Sequence, residues 1–163
     1  MNKNTKIISA YPCCGKSYIY DNVDIIFRGE DEDIVVLDSD SNTFSWIEEN
    51  GVKKRNPDFP KNYIKYIKEN IGQVDYIFVS SHKEVRKALS KANIKFTLVV
   101  PEKKLLNDWM IRMYNRGNDD DFINLQIDNW DNWLNEIDEE KGTYSKIIRL
   151  GRNQYLADVL HKC

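Results

Sequence analysis

Apolar residues in this chain come in short, bounded runs separated by longer stretches with helical spacing. KIISA (6–10), DIVVLDSD (33–40), VDYIFVSS (74–81), KFTLVV (95–100) and YSKIIRL (144–150) are rich in β-branched and aromatic residues. Most are closed by turn-forming or acidic residues, and each predicts a strand. KSYIYDN (16–22) predicts a short helix, and VDIIF (23–27) fits either the end of that helix or an extra strand. KNYIKYIKENIG (61–72) places Tyr63, Ile64, Ile67 and Ile71 at helical spacing, with Gly72 as a stop. SHKEVRKALSKAN (81–93) predicts a helix opened by a capping box, Ser81 with Glu84 three residues on. EKKLLNDWMIRMYNRG (102–117) and DDFINLQIDNWDNWLNEID (120–138) predict two more helices. The second carries Phe122, Leu125, Ile127, Trp130, Trp133, Leu134 and Ile137 mostly on one face, which marks the tryptophans as core. NQYLADVLHK (153–162) predicts a closing helix, while segment 41–60, with Gly51, Pro57 and Pro60, reads as irregular. Strands alternating with helices predict parallel βαβ units and a three-layer α/β/α sandwich.

Composition narrows the class. A chain of 163 residues with 41% hydrophobic and 31% charged residues suits one packed domain spanning 1–163. A formal net charge of -2 argues against a broad basic surface for nucleic acid. No apolar run approaches the ~20 residues that cross a bilayer, and the N-terminus lacks the long apolar core of a signal peptide. A cytoplasmic protein, monomer or homodimer, is expected. Three cysteines, Cys13 and Cys14 adjacent and Cys163 terminal, have no disulfide framework and suit a reducing compartment. His82 and His161 have no metal-ligand spacing with them, so zinc is not expected. Acidic clusters at 30–33, 119–121 and 138–140 read as solvated loops.

Two motifs carry chemistry. The first strand runs into Ala10-Tyr11-Pro12-Cys13-Cys14-Gly15-Lys16-Ser17 and then into a helical start. A tight strand-to-helix turn offers backbone N–H groups and the positive end of a helix to a phosphate chain. Gly15 lets the backbone approach, Lys16 reaches the β- and γ-phosphates, and the Ser17 hydroxyl can ligate Mg²⁺, which is the P-loop mechanism. Ala10 stands where the pattern has its first glycine, and it is tolerated there if φ stays negative. A chance GKS in a loop is the bland alternative, and the strand–turn–helix context favours the phosphate site. The second motif is Asp38-Ser39-Asp40 at the end of the next strand. Carboxylates at i and i+2 on an extended segment point the same way, at the strand end that lines the ligand crevice of an open α/β sheet. They can hold Mg²⁺ through water and orient or deprotonate a hydroxyl, or else simply cap a turn.

AYPCCGKS after the first strand and LDSDS after the second resemble the small P-loop kinases of nucleotides and metabolites, such as adenylate, shikimate and gluconate kinases. The D-x-D resembles the shikimate kinase pattern most closely. DSDSNTFSW, RNPDFPKNYI and VSSHKEVR are similar to uncharacterised nucleotide-kinase-like proteins of bacteriophages, which would place the chain in a host cytoplasm. The resemblance covers nearly the whole chain in element order, and GKS and DSD are its specific motifs. It implies a P-loop kinase fold with a five-stranded parallel sheet in spatial order 2-3-1-4-5, and an ATP- and Mg²⁺-dependent phosphotransferase. ATP would sit on Cys13, Cys14, Gly15, Lys16, Ser17 and Tyr18, with Arg152 near the base and Ser17 and Asp38 on the metal. The acceptor would lie over segment 40–60 against Asp40, Phe44, Trp46 and Arg55, with Ser81 and Arg86 contributing from beyond the third strand. Phe44, Trp46 and Arg55 serve equally well as packing of an irregular loop. A lid at about 102–120, hinged near Gly117 and Asn118, would bring Arg112 and Arg116 onto the transferring group. Lys16, Asp38, Asp40, Arg112 and Arg116 would then form the catalytic set. Ser80-Ser81-His82 replaces the metal-positioning Asp that such enzymes carry after the third strand. A (deoxy)nucleoside monophosphate is the expected acceptor, a small hydroxylated metabolite the second. A non-catalytic nucleotide-binding module or sensor is the reading from another class.

Overall fold

A computed structural model describes residues 2–30 and 33–163. Five strands form one parallel sheet: β1 (Lys6–Ala10), β2 (Val36–Ser39), β5 (Tyr76–Ser80), β6 (Thr97–Pro101) and β7 (Lys146–Leu150), ordered β2-β5-β1-β6-β7. Counting only these strands along the chain, their spatial order is 2-3-1-4-5. The central strands read as near-continuous apolar runs because both faces are covered, and Ile8, Ile77, Phe78, Leu98 and Val99 have no exposed surface. The helices are α1 (Lys16–Asp21), α2 (Val23–Ile26), α3 (Asn42–Ser45), α4 (Lys61–Asn70), α5 (Lys83–Lys91), α6 (Leu106–Asn115), α7 (Asp120–Glu139) and α8 (Leu156–Val159). They pack around the sheet in an α/β arrangement compatible with a three-layer sandwich. Among the described residues no helix is long and apolar enough to cross a membrane.

Several local expectations change. Segment 23–27 takes the helical alternative, as α2. The strand expected over 33–40 is shorter, because Val35 turns its groups to the start of β5: its N–H donates to Asp75 Oδ2 at 2.8 Å and its C=O accepts from Asp75 and Tyr76. Segment 41–60 is not irregular throughout. It holds α3 and an antiparallel hairpin of β3 (Trp46–Glu49) and β4 (Val52–Arg55). Asn50 (φ 56°) and Gly51 (φ 74°) form its tip, the positive-φ pair that a two-residue hairpin turn requires. The Ser81–Glu84 capping box does not form. Helix α5 starts at Lys83 with no side-chain cap on its first turn, and Glu84 binds Arg55 instead.

The acidic clusters are also tied down. Asp119 caps α7 by accepting the Phe122 N–H at 2.8 Å, with Asp120 and Asp121 in the first turn where the helix dipole favours them. Asp138 accepts from Arg149, and Glu140 accepts from Arg86 at 2.9 Å. Asp31 and Glu32 of the first cluster lie outside the described residues.

Candidate active site

Strand order reverses across β1, and a large cavity opens beyond the carboxyl ends of β1, β2 and β5, as expected for a doubly wound sheet. Its volume is about 1240 Å³. That exceeds the roughly 300–1,000 Å³ of a site for one drug-sized ligand, so it has room for more than one small molecule.

The floor is the loop after β1. Ala10 is fully buried as the last strand residue and its φ is not positive, so alanine fits without strain. The positive φ values fall later, at Cys13 (62°) and Gly15 (101°). The loop is pinned from behind. Tyr11 N–H donates to Val99 O at 2.9 Å, Trp109 Nε1 donates to Pro12 O at 2.9 Å, and Leu156 N–H donates to Cys14 O at 2.8 Å. Cys14 N–H turns back to Tyr11 O at 3.2 Å. The N–H groups of Cys13, Gly15, Lys16 and Ser17 have no partner among the described residues. Gly15 precedes α1, and a Cβ there would meet Tyr155 Cδ1 at 3.4 Å. Lys16 spans its own loop, donating from Nζ to Ala10 O at 2.8 Å. Burial lowers its pKa, opposed by the nearby Cys14, Asp38 and Asp40. The Cys14 thiol is pushed up to about 12 by burial, which makes it inert filler.

The acidic pair faces this loop. Ser17 Oγ donates to Asp38 Oδ2 at 2.9 Å. Asp40 lines the same cavity; its Oδ1 accepts the Asn42 N–H at 2.9 Å, and its other oxygen has no partner among the described residues. So Asp40 both caps a turn and faces the cleft. Among the described residues no group of three or more His, Cys, Asp or Glu side chains could hold a metal. Ser17 and Asp38, bonded to each other, supply two hard oxygen donors of the kind that can share a divalent cation with phosphates and water.

Helix α6 supplies the arginines, in unequal roles. The Arg112 guanidinium lies between the rings of Trp109 and Tyr155, 4.0 and 3.9 Å from their centroids. It donates to Gln154 O at 2.7 Å and to Cys13 O at 3.4 Å, and so clamps the β1 loop to the segment after β7. Arg116 is freer; it lines the cavity, with Nη1 3.9 Å from Cys13 Sγ.

The other expected residues divide. Tyr18 and Ser81 line the cavity. Phe44 packs on Tyr63 and Tyr66, 4.9 Å from each, in the core. Trp46 and Arg55 sit on the hairpin, outside the cavity lining, with Arg55 bonded to Glu84 at 2.5 Å and stacked over Phe59. Arg86 is turned inward onto Ser81 O and Glu140. Arg152 is exposed and meets Asp108 at 3.3 Å. In their place the cavity gains Asn42, Ser80, His82, Gln126 and Tyr155. His82 had no signal beyond its place after the third strand of the sheet. Its ring loses enough water at the cleft wall that its pKa falls below the usual histidine value, helped by Lys16, Arg55 and Arg86 and opposed by Asp40. Gln126 and Tyr155 had none, since only tertiary folding brings them here. No protein-family model matches the chain, and no curated protein matches it either.

Proposed function

We propose that this protein is an ATP-dependent phosphotransferase of P-loop kinase type, moving the γ-phosphoryl group to a small acceptor. The supporting observation is the loop at 13–17: four unpartnered amides, a lysine and a metal-competent hydroxyl surround one space, opposite an acidic pair. The strand order 2-3-1-4-5 agrees with that fold. The polyphosphate of ATP takes the amides of 13, 15, 16 and 17, and Lys16 leaves Ala10 O for the β- and γ-oxygens. Ser17 and Asp38 would hold Mg²⁺, which offsets charge on those oxygens when bound. The acceptor hydroxyl oxygen bonds to the γ-phosphorus as the bond from phosphorus to the β,γ-bridging oxygen breaks. ADP leaves with that electron pair, and the hydroxyl proton passes to the free oxygen of Asp40. Arg116 meets the charge on the equatorial oxygens, while Arg112 holds the two loops that flank the donor.

The test is acceptor-stimulated ADP release with purified protein, ATP and Mg²⁺ over a panel of nucleotides, nucleosides and metabolites. Lys16→Ala is expected to lower kcat at least a hundredfold. Unchanged turnover in that variant would remove the loop from the mechanism, and ATP binding with no release for any acceptor would favour a binding module.

A further inference from the structure

At the acceptor side the cleft continues into a smaller recess of about 120 Å³, where Pro12, Ser81, His82 and Gln126 line both spaces. At ~30 Å³ per water molecule, the recess holds about four waters or one ring-sized group. Tyr11 and Trp133 give it aromatic walls.

Its charges cancel from within. Lys83 meets Glu136 at 3.2 Å and Glu140 at 3.6 Å, and Arg86 meets Glu140 at 2.9 Å, so two cations face two carboxylates. Its hydrogen bonding does not cancel. Arg86 is only 4% exposed; Nη1 and Nη2 are bonded, and Nε is buried with no partner. Gln126 is 3% exposed; its Oε1 accepts from Tyr11 OH at 3.1 Å, and its amide nitrogen has no partner among the described residues. Arg86 Nε is sealed away from the recess, so the Gln126 amide is the one donor left open to it, in a largely apolar and charge-balanced place. An uncharged oxygen satisfies that donor without bringing a net charge into a space already balanced. A phosphate or carboxylate finds no uncommitted cation here: Arg55 is bound to Glu84, Arg86 to Glu140, and Asp40 stands at the entrance. Lys16 and Arg116 lie at the loop that the donor's phosphates claim.

We infer that the acceptor is an uncharged, hydroxyl-bearing molecule that seats a carbonyl or hydroxyl oxygen in this recess, against the Gln126 amide. This rests on the phosphotransfer reading above. Nucleosides and free sugars or polyols share that chemistry, and the measurement separates them. ADP release by the full chain is compared across three sets at equal concentration: nucleosides, free sugars and polyols, and the phosphorylated or carboxylated counterparts of both. One neutral set is expected to exceed its charged counterparts at least tenfold in kcat/KM. Gln126→Glu keeps the size and the Tyr11 bond but replaces the donor, and is expected to raise KM for that acceptor about tenfold with ATP affinity within twofold. Equal or better turnover of charged acceptors, or an unchanged KM in Gln126→Glu, overturns the inference and leaves phosphotransfer standing. ATP binding without ADP release in any set ends both.

Discussion

At Gly15 the backbone, and not a lack of space, asks for an absent side chain. Its φ of 101° lies in the left-handed half of the map, while a Cβ there would meet Tyr155 at an ordinary 3.4 Å contact. A left-handed conformation costs a non-glycine residue roughly 1–2 kcal/mol. Gly15→Ala is expected to lose about that much in urea unfolding. It should lose at least tenfold in ATP affinity by titration, because relieving φ rotates the amides of 15–17 away from a common centre. A variant with wild-type ATP affinity would show that those amides do not bind phosphate. The strand-to-helix turn at GKS was legible beforehand because it is made by consecutive residues and needs no distant partner. The acidic pair was legible for a similar reason: Asp38 on β2 and Asp40 just past its end are two residues apart, and both line the cleft. The role of Arg112 was not. Its contacts are to Gln154 and Cys13, 42 and 99 positions away, and no local pattern encodes them. Nor did the sequence show that the second backbone irregularity falls at Cys13 and not at Ala10.

Elements followed their local signals where burial and signal agreed. The five strands of the sheet fall within their apolar runs, give or take a residue or two; β1, β5 and β6 are buried on both faces, while the edge strands β2 and β7 are only partly covered. The hairpin β3–β4 escaped notice although Asn50-Gly51 is a strong two-residue turn signal. All eight strand residues are exposed, so no apolar alternation accompanied it. Ser81–Glu84 had the opposite fate, a correct local pattern overridden by tertiary pairing, because Arg55 takes Glu84. The most deeply placed ion pair between helices is Arg86 on α5 with Glu140 at the end of α7, at 4% and 15% side-chain exposure. Removing one partner of a buried pair strands a charge, and the cost runs to about 3–5 kcal/mol. Glu140→Gln keeps a hydrogen-bond acceptor and removes only the charge, so a loss of about 3 kcal/mol in chemical denaturation is expected. Combining it with Arg86→Met should recover most of that loss. If the double variant is no more stable than the single, the pair is not the cause.

At the scale of the molecule the cleft is a seam. The β1 loop, the end of β2, the start of α5, the α6–α7 turn and the segment after β7 all border it. Behind the loop they are stitched by single bonds, Trp109 to Pro12, Leu156 to Cys14 and Arg112 to Gln154. In front, the amides of 13, 15, 16 and 17 have no partner among the described residues. A polyphosphate placed there adds bonds between elements that on this side are joined by little more than the Ser17–Asp38 bond, so it stabilises the fold as a whole and not one loop. Binding to the folded state alone contributes RT ln(1 + [L]/Kd), about 2.7 kcal/mol at a hundredfold excess over Kd. In a chain of this size each kcal/mol moves Tm by roughly 2–4 °C. ATP with Mg²⁺ is therefore expected to raise Tm by about 5–10 °C in a thermal melt, and adenosine, which lacks phosphates, by far less. Lys16→Ala should melt near the wild-type temperature without ligand, since Lys16 makes one bond, to Ala10 O, and should lose most of the ATP-induced shift. A shift of equal size with adenosine would move the binding energy from the loop to the base, and the phosphate cradle would no longer be what organises this cleft.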